Sequence, residues 1–148
     1  MTTASDSPEV DKKIITFTNG VLGFEQYKRY LLLDHPGTDI VKWLEAVDEP
    51  EIALPVANPF HFFPGYAPEI SRENLLQLNI TSPEEALVLC VLTIGSHTRE
   101  ITINLKAPII INADLRLADQ FIVENPEYNI REPLKLKKAC SDWRCESC

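Results

Sequence analysis

The chain is 148 residues long, 45% hydrophobic and 24% charged, with a formal net charge of −8. That length fits one domain and buries roughly two thirds of the unfolded surface without help from a metal or disulfide. Residues 1–130 hold nine Lys/Arg against nineteen Asp/Glu, and residues 131–148 hold five against three. So acidic a body repels phosphate backbones, which argues against direct nucleic-acid binding, and it attracts a basic partner unless the charge serves only solubility. Met1 to Asp11 lacks a basic region followed by an apolar run, and the apolar stretches are too short to span a bilayer. The expected location is the cytoplasm, with no membrane contact and with the four cysteines as thiols.

In chain order, residues 1–12 read as a disordered lead-in rich in Ser, Thr and acids. Lys13–Phe17 is a β-branched and aromatic run, closed by Asn19-Gly20, a hairpin signal that predicts a type I′ turn into a short strand at Val21-Leu22. Tyr30–Leu33 and Val41–Ala46 are further strands. Ile52–Val56 is another, at an edge or bulge because Pro55 cannot donate to a ladder. Ser71 predicts an N-cap before Arg72–Leu76, with Ile70 and Leu75 placed as a hydrophobic staple. Ser82-Pro83-Glu84-Glu85 predicts a one-turn helix with Glu85 reaching back as a capping-box partner. Leu87–Ile94 is nearly all apolar, as in a strand covered on both faces. Ile101, Ile103 and Leu105 alternate with polar residues. Ile109–Ile111 is expected to pair with Phe121–Val123 across a turn near Ala118-Asp119. Short strands, regular turns and brief helices predict a mainly β barrel or sandwich over 13–134. A basic, flexible, cysteine-bearing tail follows over 135–148.

No catalytic set assembles in this pattern. His35, His61 and His97 are far apart, and there is no glycine-rich phosphate loop, nucleophile elbow or His-Glu-x-x-His. Nothing predicts an enzyme, and no cofactor is expected. Cys90, inside an apolar strand, reads as a small buried hydrophobe. Cys140, Cys145 and Cys148 are weak metal candidates: Cys145 and Cys148 fit a tetrahedral corner, but the tail has no histidine and lacks a fourth ligand. Either they are reduced thiols on a flexible tail, or the chain is a metal- or redox-responsive module. Trp143 in the same tail docks on the body or on a partner.

The segment Asn58-Pro59-Phe60-His61-Phe62-Phe63-Pro64-Gly65-Tyr66-Ala67-Pro68 holds three of the six phenylalanines. Its prolines keep it out of central strands and helix interiors. It is either a plug for an open end of the barrel or a preformed contact surface. The candidate partner-binding residues are therefore Asn58, Pro59, Phe60, Phe63 and Tyr66. To these alternation adds Asn104, Lys106 and Asn112 as outward polar groups of the last sheet. Asn58 and Asn112 have a second reading as turn formers.

Five stretches carry a family resemblance. Ile15–Leu33 (ITFTNGVLGFEQYKRYLLL) resembles the opening of FliW flagellar assembly factors. Trp43–Tyr66 (WLEAVDEPEIALPVANPFHFFPGY) is similar to their central signature. Val91–Ile94, Ile101–Asn112 and the Tyr128/Arg131-Glu132-Pro133-Leu134 ending resemble their C-terminal half. Ala118 departs from the pattern, where a turn glycine is expected, as does the extension Lys135–Cys148. The resemblance implies a single-domain, antiparallel β-barrel-like fold with one or two short helices. It implies a cytoplasmic protein that binds newly made flagellin near its C-terminal region. It also implies binding of CsrA, a basic RNA-binding repressor of flagellin translation, so that flagellin and CsrA act as alternate partners.

Overall fold

The computed structural model describes residues 14–35, 37–95 and 100–134. The lead-in, His97 and the tail with its cysteines and Trp143 lie outside the described residues.

Among the described residues nine strands form: β1 (Ile14–Phe17), β2 (Arg29–His35), β3 (Thr38–Ala46), β4 (Ala53–Ala57), β5 (Ala86–Ile94), β6 (Ile101–Ile103), β7 (Ile109–Asn112), β8 (Leu117–Gln120) and β9 (Glu132–Pro133). The hydrogen-bonded order is β4-β3-β2-β1-β8-β7-β5-β6-β9, and a further β4–β5 pairing closes the first seven into a ring. β6 and β9 extend the sheet beyond β5. All ladders are antiparallel except β1–β8, where Thr16 faces Leu117 and Phe17 faces Ala118 in parallel. Closure removes the open edges that strands of this apolar content would otherwise expose. Pro55 lies opposite Trp43 in the β3–β4 ladder. β5 meets that strand only at Val56 and Ala57, so the proline sits outside the doubly paired part.

The interior is built from alternate residues of every ring strand. Ile15, Phe17, Tyr30, Leu44, Ala46, Val56, Leu89, Ile109, Ile111 and Ala118 pack as one cluster, joined by Val21. Each is at most 4% exposed, and each large aliphatic side chain there contributes about 2 kcal/mol of burial. Phe17 and Tyr30 meet edge to face at 5.1 Å. The outer faces of the same strands are covered in two places. Ala57, Cys90, Leu92, Ile103 and Leu105 lie under the aromatic loop, and Ile110 lies under Leu78 and Ile80. This double cover explains why all four residues of β7 are buried.

Three turn expectations are corrected. Asn19-Gly20 does not make a type I′ hairpin: Gly20 alone has positive φ, +86°, and Val21 bridges Phe24 before the chain returns as β2. The glycine is required because a Cβ there would sit 2.8 Å from the Glu25 Cα. Asn19 is instead tied to buried Asp119, its amide nitrogens lying 3.1 Å (backbone) and 2.6 Å (side chain) from the carboxylate oxygens. The partner of β7 is Leu117–Gln120, not Phe121–Val123. Its turn precedes Leu117, with Arg116 at φ +59°. Ala118 is thus a fully buried strand residue facing Ile111 rather than a turn position, and it carries no strain.

The helices follow their caps. Helix α1 (Pro59–Phe62) places Pro59 in its first turn, where a missing N–H costs nothing, and Asn58 Oδ1 accepts from Phe60 N at 2.8 Å. In α2 (Arg72–Gln77), Ser71 Oγ accepts from Asn74 N at 3.1 Å. Ile70 and Leu75 join the same cluster, as the staple predicts. Pro83–Glu85 is one 3₁₀ turn. Its Glu85 carboxylate accepts from Thr81 N at 2.9 Å, and the Ser82 backbone N–H that a capping box predicts also contributes to holding its pKa down.

Candidate functional site: an apolar groove beside a pinned aromatic loop

The aromatic loop divides between the two roles its composition allows. Tyr66 is buried, and its hydroxyl donates to the Leu105 carbonyl at 2.7 Å. Its ring meets Tyr128 edge to face at 4.7 Å. Phe63 is half-buried against the same cluster. Phe62, Phe63, Pro64, Gly65, Tyr66, Leu105 and Tyr128 enclose a shallow hollow of about 380 Å³. Phe60 turns outward: it is 39% exposed, with its ring 5.8 Å from that of Tyr66.

Distant parts of the chain hold the C-terminal end of the loop. Ala67 N donates to the Tyr128 hydroxyl at 2.7 Å. Asn125, itself buried, accepts from Glu69 N at 2.9 Å and donates to Ala67 O at 3.3 Å. Its own carbonyl accepts from Lys106 Nζ at 3.0 Å. Around Phe60 the backbone is held by local bonds, Phe60 N to Asn58 Oδ1 and Phe63 N to Pro59 O, both at 2.8 Å, and this preformed turn lowers the ordering cost of a contact made there. Asn125 and Tyr128 are the residues sequence reasoning missed as loop anchors.

Phe60 stands at one end of a groove of about 600 Å³. Val88 and Ile110, paired across β5 and β7, lie with Ala86 along its floor. Leu75 and Leu76 come from α2, and Ile70, Pro68, Ile80, Thr81 and Ser82 complete the lining. Leu76 is 50% exposed, and α2 buries none of its residues fully. Arg72 is the single charged residue of the lining. A concave apolar surface with few polar groups is the usual form of a binding site.

The three sheet residues expected to point outward are engaged within the fold. Asn112 is 5% exposed. Its amide donates to Leu78 O at 2.9 Å, and its Oδ1 accepts from Asp114 N and Leu115 N at 3.0 and 3.1 Å. It therefore ties the end of α2 to the β7–β8 turn, with the local backbone bonds that its turn-former reading expects. Asn104 is half-buried and accepts from Lys106 N and Ala107 N at 3.1 and 3.0 Å, ending β6. Lys106 holds Asn125. The alternation that pointed these groups away from Ile103 and Leu105 is real, but their polar atoms are used by neighbouring backbone.

No group of His, Cys, Asp or Glu among the described residues is arranged to hold a metal. The Cys90 thiol lies 4.0 Å from the Tyr66 hydroxyl, and burial pushes its pKa up to about 12, so it stays protonated and unreactive near neutrality. No helix among the described residues is long and apolar enough to cross a membrane.

Beside its closed β ring the chain thus carries a concave apolar groove, a surface of the kind that binds other molecules. The sequence model of the FliW protein family matches residues 1–134. Flagellar assembly factor FliW of Clostridium beijerinckii is 35% identical over 124 residues, covering 84% of this chain and 88% of that protein. The Syntrophomonas wolfei factor is 40% identical over 124 residues, covering 84% and 80%. A crystal structure of the flagellar assembly factor FliW superimposes with a TM-score of 0.76 at 31% identity, covering 83% of this chain and 86% of that one. The chain belongs to the FliW family, a family of assembly factors and not of enzymes.

Proposed function

We propose that this protein binds newly made flagellin and the RNA-binding repressor CsrA in the cytoplasm, and that the two partners disfavour each other. Free protein then sequesters CsrA and relieves repression of flagellin translation. Accumulating flagellin occupies the protein and releases CsrA. The observation that carries this reading is the groove bounded by Phe60, Leu75 and Leu76, on a chain that belongs to a family of flagellar assembly factors. An unassembled flagellin terminus has apolar helical faces that find cover only in the filament, and a preformed apolar groove offers such a face temporary burial. The acidic body suits the basic CsrA and speeds their encounter more than it sets final affinity.

A useful switch needs the two partners to weaken each other by a few kcal/mol, since ~1.4 kcal/mol changes affinity only tenfold. The test is calorimetric titration of the purified protein with flagellin monomer and with CsrA, followed by titration of flagellin into the preformed CsrA complex. The expected result is binding of each partner alone and release of CsrA as flagellin is added. Absence of binding to both, at low and physiological salt, overturns the proposal.

A further inference from the structure

We infer that Arg72 is a specificity determinant of the groove: it pairs with a carboxylate on the docked segment, next to the aliphatic side chains that fill the apolar floor. This rests on the reading that flagellin occupies the groove, and it adds the chemistry of the segment that binds.

Three observations support it. Arg72 is exposed and is the one charged side chain of a lining otherwise made of apolar residues, Thr81 and Ser82. Among the described residues no hydrogen bond or ion pair engages its guanidinium, whereas Arg29 and Lys42 each hold an aspartate, at 2.9 and 2.7 Å. Glu85, which borders the groove through Thr81, is already occupied by that residue's backbone N–H. Arg72 is also the first residue of α2, where the helix dipole gives a cation no support. Neither local pairing nor helix stability accounts for an arginine here.

Charge complementarity then selects the occupant. A lone cation beside an apolar floor is mismatched to a basic partner and matched to an amphipathic segment carrying Asp or Glu beside its aliphatic residues. An arginine fork binds a carboxylate in two parallel hydrogen bonds, and that pairing strengthens as the docked segment excludes water. CsrA, being basic, belongs elsewhere on the acidic body.

The experiment is calorimetric titration of flagellin monomer into the parent protein and into Arg72→Lys, Arg72→Gln and Arg72→Glu, each at low and physiological salt, with CsrA titrated in parallel. Loss of about fivefold in flagellin affinity is expected for Arg72→Gln and about tenfold or more for Arg72→Glu, with Arg72→Lys falling between the parent and Arg72→Gln because it keeps the charge and loses the fork. Salt dependence should be shallower in Arg72→Gln than in the parent. CsrA affinity should hold steady or tighten. A flagellin Asp/Glu→Lys scan should contain one substitution that restores binding to Arg72→Glu. Flagellin affinity within twofold of the parent for Arg72→Glu, with an unchanged salt response, overturns the pairing and leaves the partner assignment standing. Loss of CsrA affinity in Arg72→Glu assigns the groove to the repressor and also overturns it. A parent protein that binds no flagellin removes the functional reading at the first titration, and the pairing with it.

Discussion

The two faces of the ring strands differ in finish. Inward, every ring strand contributes residues that are at most 4% exposed and packed as one cluster. Outward, β5 and β7 present Val88 and Ile110 to a cover that is only partly closed. That cover is a six-residue helix with no buried residue of its own. It is held by the Ser71 cap, by Leu75 and by the Asn112 bond to Leu78 O. One set of strands thus supports stability on one side and an unfinished apolar surface on the other. The lesson is that the two properties should separate under mutation.

The largest separation is expected from the interior. Leu44→Ala should destabilise the fold by about 3 kcal/mol, since a fully buried leucine leaves a cavity. Urea denaturation would read this, while partner affinity of the folded fraction stays unchanged. Phe60→Ala should do the reverse: about 2 kcal/mol of flagellin affinity lost by calorimetry, with little change in melting temperature. Unchanged affinity for both flagellin and CsrA would remove Phe60 from the contact surface.

Asn112→Ala blurs the division in an informative way. It strands the Leu78 carbonyl and two turn N–H groups, which should cost about 2 kcal/mol of stability. It should also raise hydrogen exchange in α2 before the ring opens.

The covered outer face carries a pH signature too. Cys90 is neutral in the fold with its pKa pushed up to about 12 by burial, and burial likewise raises Tyr66 beside it and Tyr30 in the ring interior. Groups with raised folded pKa values stabilise fully below their unfolded values and lose that contribution as pH rises. Stability should therefore fall progressively from about pH 9 toward 12, and Cys90→Ala should flatten the first part of that fall. An equally steep decline in Cys90→Ala would exclude the thiol as its source.

Smallest of all, Arg116→Gly should stabilise by ~0.5 kcal/mol, because Arg116 holds φ +59° in the β7–β8 turn. A lower midpoint in urea would count against this.

Much of this arrangement is legible in the sequence because it is local. β-branched runs specify the strands, and Ser71 with Ile70 and Leu75 specifies α2, whereas the four-residue α1 forms inside a segment that the sequence reads as a loop. The family is legible as well, because several stretches keep its order. What the sequence conceals is non-local. Ring closure depends on a parallel β1–β8 pairing between segments about a hundred residues apart. The Asn19-Gly20 pair carries a hairpin signal, yet its glycine answers the close approach of Glu25 and its asparagine answers Asp119. The β7–β8 turn carries no sequence signal because arginine, not glycine, takes the left-handed conformation there.

The candidate site shows the same split. Phe60 was legible from the composition of its loop. The groove beside it was not, since it joins Phe60 to Leu76 of α2 and Ile110 of β7. Asn104, Lys106 and Asn112 obeyed the alternation that selected them, but alternation cannot tell an outward polar group from one bonded to a neighbouring loop. Asn125 and Tyr128 anchor the aromatic loop from 58 and 61 residues away, and no local signal marks such bonds.

The most direct test of the division between scaffold and surface is a hydrogen-exchange footprint of flagellin monomer on the full chain. Slowed exchange is expected in α1 around Phe60 and through α2 to Ser82, with β1, β2 and β3 unaltered. Protection confined to β1–β3, with the groove exchanging as in the free protein, would contradict the account.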